Sequence, residues 1–503
     1  MGDLLLGIDF GTTNIKVVAF DFAGQVVAQS SAPTPSFHPR PDWTEHDPHQ
    51  LWSAFRSALR QIVNAIGDAG RIEALAVASM GEAGVPIATD GSFLYPIIAW
   101  HDPRTIPYAQ WWSEHFGDAQ LFRITGMSPD YIYSLNKLMW LRDHEPSVFA
   151  RIHKFLCVED FAIHQLTGEF ATSFSIASRT MGVDLTAKHW SLEVFAAARI
   201  NPEIMPTLYP SGQVVGQVTA HAAKETGLSP GTKVVTGGHD HTCGALAAGV
   251  LRQGMVLDSS GTVEGLWAAL ERPKLDDRLW PAGYAHEFHV VPDLYILSGS
   301  VMTSGALLEW IKEVLGYPKV SALAADAEQS PLGSRGVMVL PHFRGGGTPH
   351  NDPQARGAIV GLSAAHGHDD IARAALEGIA FEMRSNFEVL EPILGRQLGP
   401  LRGVGGGASN PFWLQMKADI TEKHIEVPAV SEATALGAGL LAGIGAGIYA
   451  SYQEAAAVIP VARAYEPNPQ AASQYAELWE RVYRKLYPAL AKISHATARI
   501  AGE

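Results

Sequence analysis

Residues 7–21 read Gly-Ile-Asp-Phe-Gly-Thr-Thr-Asn-Ile-Lys-Val-Val-Ala-Phe-Asp. The apolar run Leu4–Asp9 ends in a carboxylate and reads as a strand. Gly11, Thr12 and Thr13 make a tight turn, Ile15–Asp21 a second, β-branched strand, Phe22–Gly24 another turn, and Gln25–Gln29 a third strand. A turn of Gly and Thr offers backbone N–H groups and hydroxyls to an anion with no bulky side chain in the way. Asn14 and Lys16 stand close enough in sequence to add contacts, Lys16 with a positive charge, and Asp9 at the strand end is suited to a hydrated Mg²⁺. The stretch therefore reads as a phosphate site on a hairpin. It differs from the P-loop and the dinucleotide fingerprint, which place the anion at a helix start. The alternative is an ordinary glycine hairpin.

Outward from this hairpin, 503 residues predict two large domains. The formal charge of −14 argues against nucleic acid or an anionic membrane as partner, because both attract basic patches. Two cysteines, Cys157 and Cys243, imply no disulfide framework and fit a reducing, cytoplasmic compartment. The first residues lack the pattern of a secretion signal, and Leu6 stands where a myristoylation motif needs Ser or Thr. Ala433–Ala450 carries no charge and approaches spanning length, but its Ala and Gly content favours a closely packed buried helix.

A second hairpin echoes the first. Met255–Asp258 reads as a strand, Ser259-Ser260-Gly261-Thr262 as a hydroxyl-rich turn and Val263–Ala269 as the return. Two units of strand, acid and small turn, roughly 250 residues apart, predict two similar domains facing one ligand. The boundary falls near residues 246–254, giving 1–247 and 248–503. Between the hairpins, strand Thr232–Val235 runs into Gly237-Gly238-His239-Asp240-His241, followed by a small-residue helix Thr242–Gly249. Beyond them come a glycine loop at Gly345–Pro349, a long helix at Asp369–Leu390, strand Leu401–Val404, the loop Gly405–Asn410 and a helix at Asn410–Glu422. Tyr475–Ile500 reads as one terminal helix.

The first hairpin resembles the phosphate motif of the actin, hexokinase and heat-shock-chaperone ATPases. Further motifs narrow this. Gly357-Ala-Ile-Val-Gly361-Leu362, then Asp370-Ile371 and Ala374-Ala375-Leu376-Glu377, after Pro349-His-Asn-Asp352-Pro353, resemble the FGGY family of carbohydrate kinases over nearly the whole chain. The resemblance implies an α/β fold of two ribonuclease-H-like (actin-like ATPase) domains around a deep cleft. It implies transfer of the γ-phosphoryl group from ATP, with Mg²⁺, to a hydroxyl of a small sugar or polyol, a xylulose-like pentulose being the commonest substrate. Dimers are common among such kinases, so a homodimer is compatible with it. The rival readings are a nucleotide-binding sugar sensor whose catalysis has decayed, and an actin-like or chaperone-type ATPase.

A hydroxyl nucleophile needs a base, and Asp240 matches the family's catalytic carboxylate; helix capping is the plainer role for that position. His239 and His241 flank it without a third ligand nearby in sequence, so no transition-metal site is expected there; His241 is a candidate sugar contact. Asp9 and Asp240 are the candidate Mg²⁺ carboxylates. Gly11, Thr12, Thr13, Asn14 and Lys16 face phosphates from one side, and Gly261 and Thr262 from the other. Gly405, Gly406, Gly407 and Asn410 are expected to receive adenosine, with Gly305 and Glu309 as further nucleotide contacts. The sugar pocket draws on Gly81, Glu82, Trp100 and Trp43. Gly81-Glu82 matches neither the Arg-Glu pair of glycerol kinases nor the His-Gly pair of xylulokinases, which leaves the sugar unnamed. Trp100 serves either sugar stacking or the core, and Asp102 and Arg104 either a structural ion pair or the substrate.

Overall fold

A computed structural model describes residues 2–501. The N-terminal meander is present as β1 (Leu4–Phe10), β2 (Asn14–Asp21) and β3 (Val26–Pro33), paired antiparallel in sequence order. β4 (Ile72–Ser79), β5 (Val214–Gln217) and β6 (Lys233–His239) complete a six-stranded sheet of order β5-β6-β4-β1-β2-β3. β4 is parallel to β1 and to β6.

The second sheet holds β7 (Val256–Ser260), β8 (Glu264–Leu270), β9 (Ala285–Phe288), β10 (Tyr295–Val301), β11 (Leu401–Gly405), β12 (Ile425–Pro428) and β13 (Val461–Tyr465), in the order β9-β10-β8-β7-β11-β12-β13. Again a strand pairs antiparallel with the next, which pairs with a third, while two parallel strands lie on its other side. The runs β3-β2-β1-β4-β6 and β10-β8-β7-β11-β12 therefore have the same topology, the actin-like α/β arrangement.

The faces of β1 explain how the lobes join. Side chains alternate along a strand. Leu6, Ile8 and Phe10 pack under helices α1 (Pro48–Ile66) and α2 (Val158–Thr167), against residues such as Phe55, Leu59 and Phe161. Leu5, Gly7 and Asp9 face the other way. There lie α3 (Asp240–Ala247), directly after β6, and a helix from the far end of the chain. Three long helices precede that one: α4 (Gly305–Leu315), α5 (His368–Leu394) and α6 (Pro411–Thr421). The helix itself is α7 (Ala433–Ala446). A Cβ on Gly7 would sit 1.7 Å from the Ala435 carbonyl oxygen, and one on Gly437 would sit 2.0 Å from that of Cys243. α7 thus reaches the first sheet and α3 at backbone distance, and its uncharged composition serves this contact. Among the described residues, no helix is long and apolar enough to cross a membrane.

Two sequence expectations change. The terminal helix is two, α8 (Pro469–Arg481) and α9 (Leu486–Ala501), with a short 3₁₀ turn between them. Pro488 lacks an N–H and tolerates only the first turn of a helix, so a new helix starts just before it. β6 also runs on through Gly237-Gly238-His239, and α3 begins at Asp240, two residues early.

Buried histidines on and beside β9 set an acid limit. His289 donates from Nε2 to the Val250 carbonyl (3.0 Å) and accepts the Val291 N–H at Nδ1 (3.0 Å), a pattern only the neutral ring satisfies. Burial pushes both His286 and His289 down to about 4, from 6.5 for a free ring. Between those values the unfolded chain binds more protons, so stability is full above pH 6.5 and falls as pH drops towards 4. We expect a cost of about 3 kcal/mol at most per ring, visible as a fall of the thermal midpoint across this window and a flatter fall in His289→Asn. Gly7→Ala should cost about 3 kcal/mol or more in urea unfolding, because neither backbone at the contact can give way.

Candidate active site

β1 delivers Asp9 to the end of the first sheet, opposite Lys16 across the hairpin. The turn closes through the Gly11 N–H donating to the Asn14 carbonyl at 3.1 Å. Gly11 and Thr12 are half-buried, and Thr13 and Asn14 are exposed. Lys16 pairs with Glu432 (2.8 Å) just ahead of α7. The hairpin tip is thereby tied to the helix that crosses between lobes.

Asp240 opens α3 at the neighbouring strand end. Its side chain is 29% exposed, and its Oδ1 accepts the His241 N–H at 2.6 Å. The helix cap position is held by His239, whose side chain makes no capping bond. His239 instead lies between two carboxylates: Nδ1 is 2.9 Å from Glu287 on β9, and Nε2 is 3.2 Å from Asp240. Burial alone would discharge this imidazole, but the charges of Glu287 and Asp240 outweigh it and raise its pKa. Burial likewise pushes the Asp240 carboxyl up, and the charges of His241 and His239 outweigh it, holding the group below its ordinary value. His241 moves down through burial, and its ring stacks on Trp267 of β8 (4.3 Å, 17°). Asp9 behaves oppositely to Asp240. Burial, then the nearby Asp240 charge, push it up to about 7. One ionised carboxylate beside one poised near neutrality is a donor pair suited to a cation.

The sugar-side residues form two buried charge clusters. Glu82, in a strained backbone conformation (φ 64°), is gripped by Arg179 through both Nε (2.7 Å) and Nη2. Gly81 lets that arginine pass: a Cβ there would be 3.1 Å from the Arg179 side chain. Arg104 binds Asp102 through Nε and Nη2 (both 2.8 Å) and Glu45 through Nη1 (2.7 Å), so Asp102 and Arg104 form a buried ion pair. Trp43 lies beneath the Arg104 guanidinium at 3.7 Å, with Arg40 at 4.2 Å from the same ring. Trp100 donates its indole N–H to Thr12 Oγ1 (3.1 Å), which couples the loop around residue 100 to the first hairpin.

In the second lobe a cavity of ≈ 920 Å³ collects Gly261, Thr262, Gly305, Glu309, Gly406, Gly407 and Asn410. Its walls are all from that lobe, and Gly11–Lys16 lie outside it. The glycines have distinct duties. Cβ atoms on Gly405 and Gly407 would strike Ser260 at 2.4 and 2.6 Å, so these two let the loop close on β7; Gly406 meets nothing within 4 Å. Gly305 sits against the Gly261 carbonyl, which accepts its N–H at 2.9 Å. Asn410 caps α6 by accepting the Trp413 N–H (3.2 Å), and Glu309 pairs with Lys312. Beneath the second turn, Lys417 of α6 is fully buried and donates to Asp258 (3.0 Å), Ser260 (2.7 Å) and Glu264. Lys417 holds the Glu264 carboxyl down at about 2 against burial, while burial and the Glu264 charge push Asp258 up. Asp258 is thus a structural acid under the turn.

Sequence reasoning missed Arg179, Glu287, Trp267 and Lys417. Each meets its partner across a large sequence separation and none belongs to a motif, so no local signal marks it.

Two actin-like lobes that carry hydroxyl-rich hairpins and a cavity beside the second hairpin define a nucleotide-using phosphotransferase. Models of the FGGY family of carbohydrate kinases match the chain over residues 4–247 (N-terminal domain) and 257–446 (C-terminal domain). The chain belongs to the FGGY family of carbohydrate kinases. It is 32% identical over 487 residues to a xylulose kinase of Bacillus subtilis, covering 96% of each chain. It is 30% identical to a glycerol kinase of Thermococcus gammatolerans, covering 96% of this chain and 95% of the relative. The crystal structure of xylulose kinase from Rhodospirillum rubrum superposes with a TM-score of 0.91 at 30% identity, over 98% of this chain and 100% of that one. The protein is accordingly an ATP-dependent sugar kinase, an enzyme that phosphorylates an alcohol group.

The Glu82–Arg179 pair yields a test of its role. Glu82→Gln leaves a buried guanidinium without its counter-charge and should cost about 3–5 kcal/mol in denaturant unfolding. An unchanged stability with a raised KM for sugar would instead mark Glu82 as a substrate ligand alone.

Proposed function

We propose that this enzyme transfers the γ-phosphoryl group of ATP to a hydroxyl of a ketose or polyol, a xylulose-like pentulose first among them. Asp240 acts as the general base. The observation that carries this reading is the Asp240 carboxylate itself: partly exposed at a strand end, its pKa held down, and flanked by His239 and His241. An ionised carboxylate can accept the nucleophile's proton as the new bond forms, and in a loose transition state its position over the hydroxyl matters more than its basicity.

Gly11, Thr12, Thr13, Asn14 and Lys16 would hold phosphates from the first lobe. Gly261 and Thr262 would hold them from the second. The cavity between Gly305, Glu309, Gly406, Gly407 and Asn410 fits adenosine, with Gly406 the open wall on which a flat base can lie; Gly405 does not line it and packs on Ser260 instead. Asp9 and Asp240 are the carboxylates to hold Mg²⁺; burial and the Asp240 charge push Asp9 up to about 7 in spite of Lys16, and a bound cation would offset that repulsion. Bound there, Mg²⁺ offsets charge on the transferring phosphates. The sugar would lie between Asp240, His241 and the Gly81-Glu82 turn, with Trp100 and Trp43 behind it. Closure of the lobes would keep water from competing as acceptor. The sensor reading loses weight because Asp9, Asp240 and Thr262 are all present, and the chaperone reading because of the Gly237-Gly238-His239-Asp240 turn and the Met80-Gly81-Glu82 strand end.

The test is sugar-dependent ADP release with Mg-ATP across ketopentoses, tetruloses, polyols, glycerol and aldonates. One compound should raise turnover far above background hydrolysis. Asp240→Asn should lower kcat for it by about 10²–10⁴-fold, with nucleotide affinity by calorimetry little changed. Near-normal turnover in that variant would remove Asp240 from the role of base.

A further inference from the structure

In the second lobe, behind the wall of the cavity that Trp310 and Arg344 line, three metal-type ligands converge. His342 follows the strand Met338–Leu340, His350 lies in the next loop, and Glu382 projects from the middle of α5. One ligand atom from each lies within 4.8 Å of the others. Glu382 Oε2 is 3.2 Å from His342 Nε2 and 3.9 Å from His350 Nε2. His342 and Glu382 are 1% and 3% exposed, and His350 is half-buried.

Hydrogen bonds satisfy Glu382 but leave part of this cluster without a partner. A buried carboxylate ordinarily has a Lys or Arg partner or a metal. Among the described residues no Lys or Arg pairs with Glu382; its neighbours are the two imidazoles and Tyr483, whose hydroxyl donates to Oε1 at 3.1 Å. His342 also keeps a buried ring nitrogen, Nδ1, with no partner. The surround is stiff: Tyr487 of α9 stacks on His350 at 3.9 Å, and its hydroxyl donates to Asp352 (2.8 Å), which also accepts from His495 (2.7 Å).

We propose that His342, His350 and Glu382 form a binding site for a divalent transition metal of the Zn²⁺ type. Two imidazoles and one carboxylate select such ions over Mg²⁺ and Ca²⁺, which take all-oxygen shells. Three protein ligands leave a fourth position, and the half-buried His350 side is open to a water there. The site ties α5 to the two loops ahead of it and, through Tyr483 and Tyr487, to the last helix. Its role is cross-linking within the second lobe. It is separate from the residues assigned to Mg²⁺ and the phosphates, so its failure and that of the proposed kinase mechanism are distinguishable.

The experiment uses the full chain stripped with EDTA and returned to buffer with excess Mg²⁺. Titrated Zn²⁺ should bind with a stoichiometry near one per chain, survive desalting and raise the thermal midpoint. Glu382→Gln and His350→Asn should lower Zn²⁺ affinity at least about 10-fold and abolish that rise. Co²⁺ loaded into the unaltered protein gives a readout that needs no variant: intense tetrahedral d–d bands, displaced by Zn²⁺. Weak octahedral bands, loss of Zn²⁺ on desalting, or equal binding by the folded His350→Asn protein would each overturn the site.

Discussion

The geometry of the cleft depends on one contact between backbones, where α7 lies on β1 at Gly7 and on α3 at Gly437. Helix and strand normally meet through side chains, which can shift rotamers and slide. Two glycines remove that compliance. The helix that returns from the second lobe is seated at fixed height on the strand that ends in Asp9, and beside the helix that begins at Asp240. Both carboxylates therefore inherit their positions from the same close approach. The Lys16–Glu432 pair secures the hairpin tip to the start of that helix.

Around this frame the charges are sorted by burial. Arg104 with Asp102 and Glu45, Arg179 with Glu82, and Lys417 with Asp258 and Glu264 are all desolvated, and each cation meets at least one carboxylate. Such pairs add little net stability over a hydrophobic replacement, but losing one partner is expensive. They act here as fixed supports: Lys417 under the second turn, Arg104 under Trp43, Arg179 behind the Gly81-Glu82 turn. Asp9 is pushed up by burial in spite of Lys16, and Asp240 is partly exposed.

The hairpins and the family pattern were legible in the sequence because both are local. A turn needs three or four residues, and alternation needs only a strand's length. The packing of Ala433–Ala446 was legible from its composition, though not its seat on the first sheet. The strands Val214–Gln217, Ala285–Phe288 and Ile425–Pro428 were not, being short and flanked by weak turn signals. The carboxylate that raises the pKa of His239 was hidden for a different reason. Glu287 has histidines at both 286 and 289 and no motif around it, and its meaning arises only when β9 comes to rest against His239. The break at Pro488 was readable, but the apolar spacing on either side masks it.

The neighbours of Asp240 come from both halves of the chain: His239 and His241 from the first, Glu287 and Trp267 from the second. The family models divide these halves at residues 247 and 257, as if they were separable modules. In space they are interlocked. A recombination event in that linker would bring a foreign partner to His239 and a foreign ring to His241, and would leave Gly7 facing a helix not shaped for it. Inheritance of the two halves as one block follows, and new sugar preferences would arise by substitution inside each half more readily than by exchange between relatives.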